Sequence, residues 1–280
     1  MRITGIAESC LSRSTKPLTL QGSGGVWDKH TVGGARKTAP PAHQTLPDAE
    51  FTAINHGFSS MTDVNLATAQ ENMVEQQLRT WDVLNERVLE VMQKLPRHDF
   101  VPTAFANLAY ADMQLPLGYD QVMLEPKVEA RLLQALDPQP NERVLEIGTG
   151  AGYLTACLSE MAADVTSVDL YAEFTELASS NLKQEGIENA RLETADAALG
   201  WDDGQRYDVI AVTGSLPELH QGFHRSLTEG GRLFLILGQP PIMEAVLITR
   251  VSDDQWACES LFDTSAPALV GAPVTRSFAV

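Results

Sequence analysis

The chain is 280 residues long, 44% hydrophobic, and carries a formal net charge of −17 at pH 7. That length suits one sizeable domain with its own core, or one domain plus an accessory part, and no apolar run approaches the roughly 18–20 residues that a membrane span needs. The acidity sits in the body: residues 1–60 hold six Lys/Arg and four Asp/Glu, and the remainder holds 14 basic against 33 acidic residues, which leaves no electrostatic footprint for DNA or RNA.

Residues 1–60 are rich in Gly, Ser, Thr, Pro and Ala and show no sustained period of 2.0 or 3.6. They read as a disordered tail or a mis-assigned gene start, with Met61 as the expected native start. No continuous apolar stretch follows the early basic residues, so no signal peptide is expected. Cytoplasm is the expected compartment. Cys10, Cys157 and Cys258 are too widely spaced for a metal cluster, and no metal is expected.

From residue 61 the pattern sharpens into an N-terminal helical segment and substrate-side loop, 61–136. Helices are expected over 69–79 and 86–95, where Val88, Val91, Met92 and Leu95 make one apolar face and Pro96 ends the second. A short helix over 102–110 precedes a loop holding Pro116, Gly118 and Pro126, and then a helix over 127–136. Beyond that, 137–280 alternates: strand 143–147, helix 152–161, strand 165–168, helix 172–185, strand 190–194, strand 207–213, helix 217–227, and strands 231–237, 244–250 and 256–262. Strand–helix alternation implies parallel strands with helices on both faces. The last two apolar runs lack an intervening helix, so they are expected to pair antiparallel. The fold class is therefore α/β: a Rossmann-like, mostly parallel seven-stranded sheet with antiparallel terminal strands.

The chemistry concentrates at Val144-Leu-Glu-Ile-Gly-Thr-Gly-Ala-Gly152. A strand runs into a glycine turn, a helix and a second strand that ends at Asp169. This is the order of a nucleotide-binding crevice, in which glycines admit a ligand close to backbone and the acid accepts hydrogen bonds from ribose hydroxyls. The dinucleotide frame G-x-G-x-x-G fails, because Tyr153 stands at its last position. Glu146, Gly148, Gly150 and Gly152 form E-x-G-x-G-x-G instead, which resembles motif I of the S-adenosylmethionine-dependent methyltransferases of class I. Their ligand carries an amino group and a sulfonium that an acid such as Glu146 helps to balance.

Outside motif I, Asn72 to Thr80, Glu86 to Glu90, Leu95 to Pro102, Ala109 to Asp112 and Leu115 to Gly118 resemble the N-terminal signature of protein-L-isoaspartate O-methyltransferases. Leu199-Gly-Trp201, Tyr207 to Ile210 and Gly230 to Leu233 continue the match, over about residues 70–263. The resemblance implies methyl transfer from S-adenosyl-L-methionine to the free carboxylate of an isoaspartyl residue in a damaged protein. The ester then collapses to a succinimide, and isoaspartyl-containing proteins or peptides are the implied partners.

Carried over by position, Glu146, Gly148, Thr149, Gly150 and Gly152 would shape the methionine end of the cofactor pocket. Asp169 would hold the ribose, and Asp196 with Ala197 would lie near the adenine. The substrate-side loop departs from the family, which reads approximately G-H-G-Q-T-I-S-Q-P where this chain has Gly118-Tyr-Asp-Gln-Val-Met-Leu-Glu-Pro126. Gln121 survives, but Val122 replaces the threonine and Leu124 the serine regarded as catalytic. Leucine cannot donate a hydrogen bond, so about 1.5–3 kcal/mol of charge-assisted bonding is missing. Backbone amides or Thr213 are the remaining candidates to orient an acceptor. Two alternatives stay open: a same-fold methyltransferase with another acceptor, and a cofactor-binding protein with little turnover.

Overall fold

The computed structural model describes residues 18–19, 59–253 and 255–273, with side chains from residue 65 onward. Of the expected N-terminal tail it describes only the strand β1 (Leu18–Thr19), antiparallel to residues 255–256, and the first residues of helix α1 (Ser59–Asn72), which contains Met61. The expectation for the rest of 1–60 falls outside the described residues. Among these, no helix is long and apolar enough to cross a membrane.

Helix α1 continues into a π-helical turn (Met73–Leu78) and a 3-10 turn (Arg79–Trp81), so the helix expected over 69–79 is longer and changes its winding. Helix α2 (Glu86–Lys94) is capped by Asn85, whose side chain accepts from Arg87 N at 3.0 Å. At its other end Gln70 Nε2 donates to the carbonyls of Met92 and Leu95 at 2.9 and 2.8 Å, satisfying groups a helix terminus leaves open. The short helix expected over 102–110 is a 3-10 segment, Thr103–Leu108.

The substrate-side stretch, expected as loop, is a hairpin of β2 (Leu115–Gly118) and β3 (Gln121–Met123). Its two-residue turn places Tyr119 and Asp120 at φ 53° and 56°, the primed-turn backbone that matches strand twist. Helix α3 (Pro126–Leu136) opens on proline, as a first turn tolerates.

The sheet then forms from β4 (Arg143–Ile147), β5 (Asp164–Asp169), β6 (Ala190–Thr194), β7 (Tyr207–Leu216), β8 (Leu227–Gln239), β9 (Ile242–Ser252) and β10 (Gln255–Asp263), in the order β1-β10-β9-β8-β7-β4-β5-β6. Strands β8, β7, β4, β5 and β6 run parallel, while β9 and β10 are antiparallel. Helices α4 (Tyr153–Met161) and α5 (Ala172–Gln184) make the crossovers around β5. Successive residues face opposite layers: Val209 and Ala211 join one apolar cluster, Ile210 and Val212 the other.

One expected element is absent. The helix read over 217–227 is a loop ending in a 3-10 turn, His224–Ser226. Leu219, Phe223 and Leu227 keep helical spacing and are buried, which explains the misreading. Gly222, however, lies flush on the backbone of Leu199: a Cβ there would stand 1.8 Å from the Leu199 carbonyl oxygen. That close approach fixes the segment as a packed loop.

Candidate active site

Register places the site. Ile147 pairs with Val168 on one side and Val212 on the other, so Gly148, Asp169 and Thr213 follow at one rim of the sheet. The chain leaves β4 for β5 and β6, then returns to lay β7 on the opposite flank of β4. A crevice opens at such a switch point.

Gly148 has φ +100°, and a Cβ on it would stand 2.2 Å from Thr213 Oγ1, so only glycine fits. Gly150 N donates to Asp169 Oδ2 at 2.9 Å, tying the turn to the acid. Gly152 also serves the packing of α4. It lines neither cavity at this rim, and its Cα packs on Ala178 of α5, where a Cβ would meet Ala178 Cβ at 2.9 Å. Its glycine lets α4 and α5 approach.

Glu146 is fully buried. Its Oε2 accepts from Thr155 Oγ1 at 2.5 Å and Ser167 Oγ at 2.6 Å, and Oε1 has no partner. Since Ser167 gives its proton to Glu146, the 2.6 Å contact with Thr149 Oγ1 must have Thr149 as donor. Burial pushes the Glu146 carboxyl up to about 8, against the two hydroxyl bonds that lower it. Asp169 is raised as well, chiefly by burial, while backbone N–H groups, first that of Gly150, draw it back. Its Oδ1 accepts from Tyr171 N at 3.0 Å.

The main cleft encloses about 680 Å³, open to solvent included, and brings together Gln121, Val122, Leu124, Gly148, Gly150, Asp169, Asp196, Ala197 and Thr213. A second space of about 340 Å³ shares Leu117, Val122, Leu124, Gly148, Gly150 and Thr213 with it and adds Glu146, Thr149 and Glu129. Asp196 is exposed at the mouth and holds Ala198 N at 3.0 Å; Ala197 is buried beside it.

Other wall residues were not anticipated. Tyr171 and Phe174 line the cleft, and Tyr119 stacks on Tyr171 with ring centroids 4.2 Å apart. Tyr171 stands two residues after Asp169, a spacing that could have flagged it. Pro267, Leu269 and Val270 close another side, because Ser215 of β7 binds Pro267 O and Leu269 N. No local sequence signal marks that strap.

On the substrate side Leu124 is buried and offers no donor. Thr213 Oγ1 lies 3.0 Å from Ile147 O and 2.9 Å from Gly148 O, so its one proton is committed to main chain. Glu129 forms a buried ion pair with Arg97. Burial pushes the Glu129 carboxyl up while the guanidinium draws it down.

These residues fit an adenosyl-sulfur ligand: an unpartnered buried carboxyl oxygen for a cationic end, a cradle that a Cβ would fill, and a second acid at the next strand's tip. The fold is that of class I methyltransferases. It superimposes on a protein-L-isoaspartate O-methyltransferase structure with TM-score 0.62 at 23% identity, covering 71% of this chain and 65% of that one. A candidate protein-L-isoaspartate O-methyltransferase from Plasmodium falciparum, in complex with S-adenosyl-L-homocysteine, gives TM-score 0.61 at 19% identity over 73% of this chain and 97% of that one.

The family model for protein-L-isoaspartate(D-aspartate) O-methyltransferase matches residues 68–265, and the chain belongs to that family. The protein-L-isoaspartate O-methyltransferase of Syntrophus aciditrophicus is 41% identical over 182 residues, 65% of this chain and 84% of that one. Protein-L-isoaspartate O-methyltransferase 1 of Rhodopseudomonas palustris is 36% identical over 208 residues, 74% of this chain and 85% of that one.

Proposed function

We propose that this chain transfers a methyl group from S-adenosyl-L-methionine to the free carboxylate of L-isoaspartyl residues in damaged proteins, as a cytoplasmic repair enzyme. The observation that carries this reading is the pair of joined cavities at the β4 rim, one holding Asp169 and Asp196, the other Glu146, with Leu124 on the wall they share. When bound, the cofactor supplies an electrophilic methyl group on a sulfonium.

The chain's residues do the rest. Glu146 would balance the cofactor's cationic end, and Gly148 and Gly150 would admit it close to backbone. Asp169 would accept hydrogen bonds from the ribose hydroxyls, and Asp196 beside Ala197 would bound the adenine end. The acceptor carboxylate is ionised at neutral pH and needs no general base. Leu117, Val122 and Leu124 strip water from it, which raises its reactivity and also its cost of burial. Rate then rests on alignment, because the serine and threonine hydroxyls are replaced and Thr213 spends its proton on main chain.

Incubation with methyl-labelled S-adenosyl-L-methionine and an isoaspartyl peptide tests the reading. Base-labile label on that peptide, absent from its aspartyl twin, is expected. Tight cofactor binding with no transfer to either peptide would refute it.

A further inference from the structure

The structure carries a positioning device that the motif comparison does not reveal. We infer that Arg97, held by Glu129, sets the acceptor wall against the cofactor turn; the consequence for methyl transfer rests on the isoaspartyl reading.

Arg97 is fully buried, an unusual place for a guanidinium. Its Nε donates to Ala109 O at 2.8 Å and its Nη2 to Leu124 O at 2.6 Å, while Nη1 pairs with Glu129. The guanidinium carbon lies 4.8 Å from the centre of the Tyr153 ring, and Phe100 packs edge-on against the same ring at 5.4 Å. Tyr153 is the first residue of α4, directly after the glycine turn. One planar fork therefore joins the N-terminal segment, the end of the substrate-side hairpin, α3 and the cofactor turn.

Its contact with Leu124 gives it a bearing on function. Residue 124 stands where the family places a hydroxyl, and here the side chain offers none. Where side chain 124 offers no donor, the path of the backbone there helps to set how an acceptor lies. That path is fixed at Leu124 O by Arg97. Glu129 lines the same chamber and pairs with the guanidinium. Arg97 does not line either cavity, so it is a positioning residue and not a catalytic one.

Lysine at 97 keeps the buried charge and its pairing with Glu129, but a single ammonium lacks the planar fork that spans Ala109, Leu124 and Glu129 together. Arg97→Lys is the first variant. The double variant Arg97→Met with Glu129→Met removes both charges at once, which folded proteins tolerate better than loss of one partner.

Two readouts are taken. Hydrogen exchange of amides 121–125 should speed up at least tenfold in Arg97→Lys, with amides 144–149 unchanged, whatever the acceptor is. Turnover of the isoaspartyl peptide should fall about 10–100-fold in kcat for both variants, with S-adenosyl-L-homocysteine affinity within threefold of the parent. Unchanged exchange at 121–125, or cofactor affinity and kcat falling together with Tm, overturns the inference. An inactive parent protein with the expected exchange pattern refutes the isoaspartyl reading and leaves the positioning role standing.

Discussion

Glu146→Gln makes a buried acid's opposing effects measurable. Glu146 is fully buried, and its folded-state carboxyl is raised from the ordinary 4.5 to about 8, mainly by burial. Its folded pKa exceeds the unfolded one, so the stability it contributes is present below pH 4.5 and is lost as pH rises through 8. Between those values the unfolded chain releases a proton that the folded chain retains. Each pH unit in that window costs about 1.4 kcal/mol. From pH 5 to pH 8, with the slope flattening near each end of the window, the wild type should therefore lose about 3–4 kcal/mol relative to Glu146→Gln. Glutamine does not titrate, and its carbonyl oxygen can take the place of Oε2, still accepting from Thr155 and Ser167. Urea unfolding of both ligand-free proteins at pH 5, 6, 7 and 8 reads this directly. The amide turns a donor toward the cofactor's cation, so S-adenosyl-L-homocysteine affinity should drop about 10–100-fold while stability rises. A stability difference that stays flat across the four pH values would refute the reasoning.

Restoring hydroxyls with Leu124→Ser and Val122→Thr should raise kcat/KM for an isoaspartyl peptide about 10–100-fold; steady-state kinetics showing no gain would mean that orientation comes from elsewhere. Gly148→Ala drives a Cβ to 2.2 Å from Thr213 Oγ1 at a φ of +100°, so it should cost about 1–3 kcal/mol in urea unfolding and abolish detectable cofactor binding. His224 is buried against the Trp256 ring and is lowered to about 4, chiefly by burial. Its folded pKa lies below the unfolded 6.5, so the stability it contributes is present above pH 6.5 and lost as pH falls through 4. His224→Phe should remove about 3 kcal/mol of acid sensitivity between those values, as read by urea midpoints at pH 6.5 and 4.

How much of this was legible in the sequence follows from where the signal lies. The sheet was legible because apolar residues cluster in short segments between helical stretches, as in β4 and β7, and the cofactor rim because Glu146, the glycines and Asp169 follow one another in chain order. The hairpin at 115–123 was not, since its left-handed turn is made by Tyr119 and Asp120 without glycine. The loop over 217–226 imitates helical spacing, and only its contact with Leu199 breaks the pattern. Gly152 was legible as part of the glycine turn, but its packing against Ala178 between α4 and α5 was not. Arg97 and Glu129 lie 32 residues apart, and a pairing at that distance leaves no local trace. The strap at 267–270 is equally silent, because its place depends on backbone bonds to Ser215.

The most direct test of the whole account is calorimetric titration of S-adenosyl-L-homocysteine into the pure, folded protein. Saturable binding at one site, weakened by Asp169→Asn and by Glu146→Gln, is the expected result. A folded protein that takes up neither S-adenosyl-L-homocysteine nor the methyl donor would contradict it.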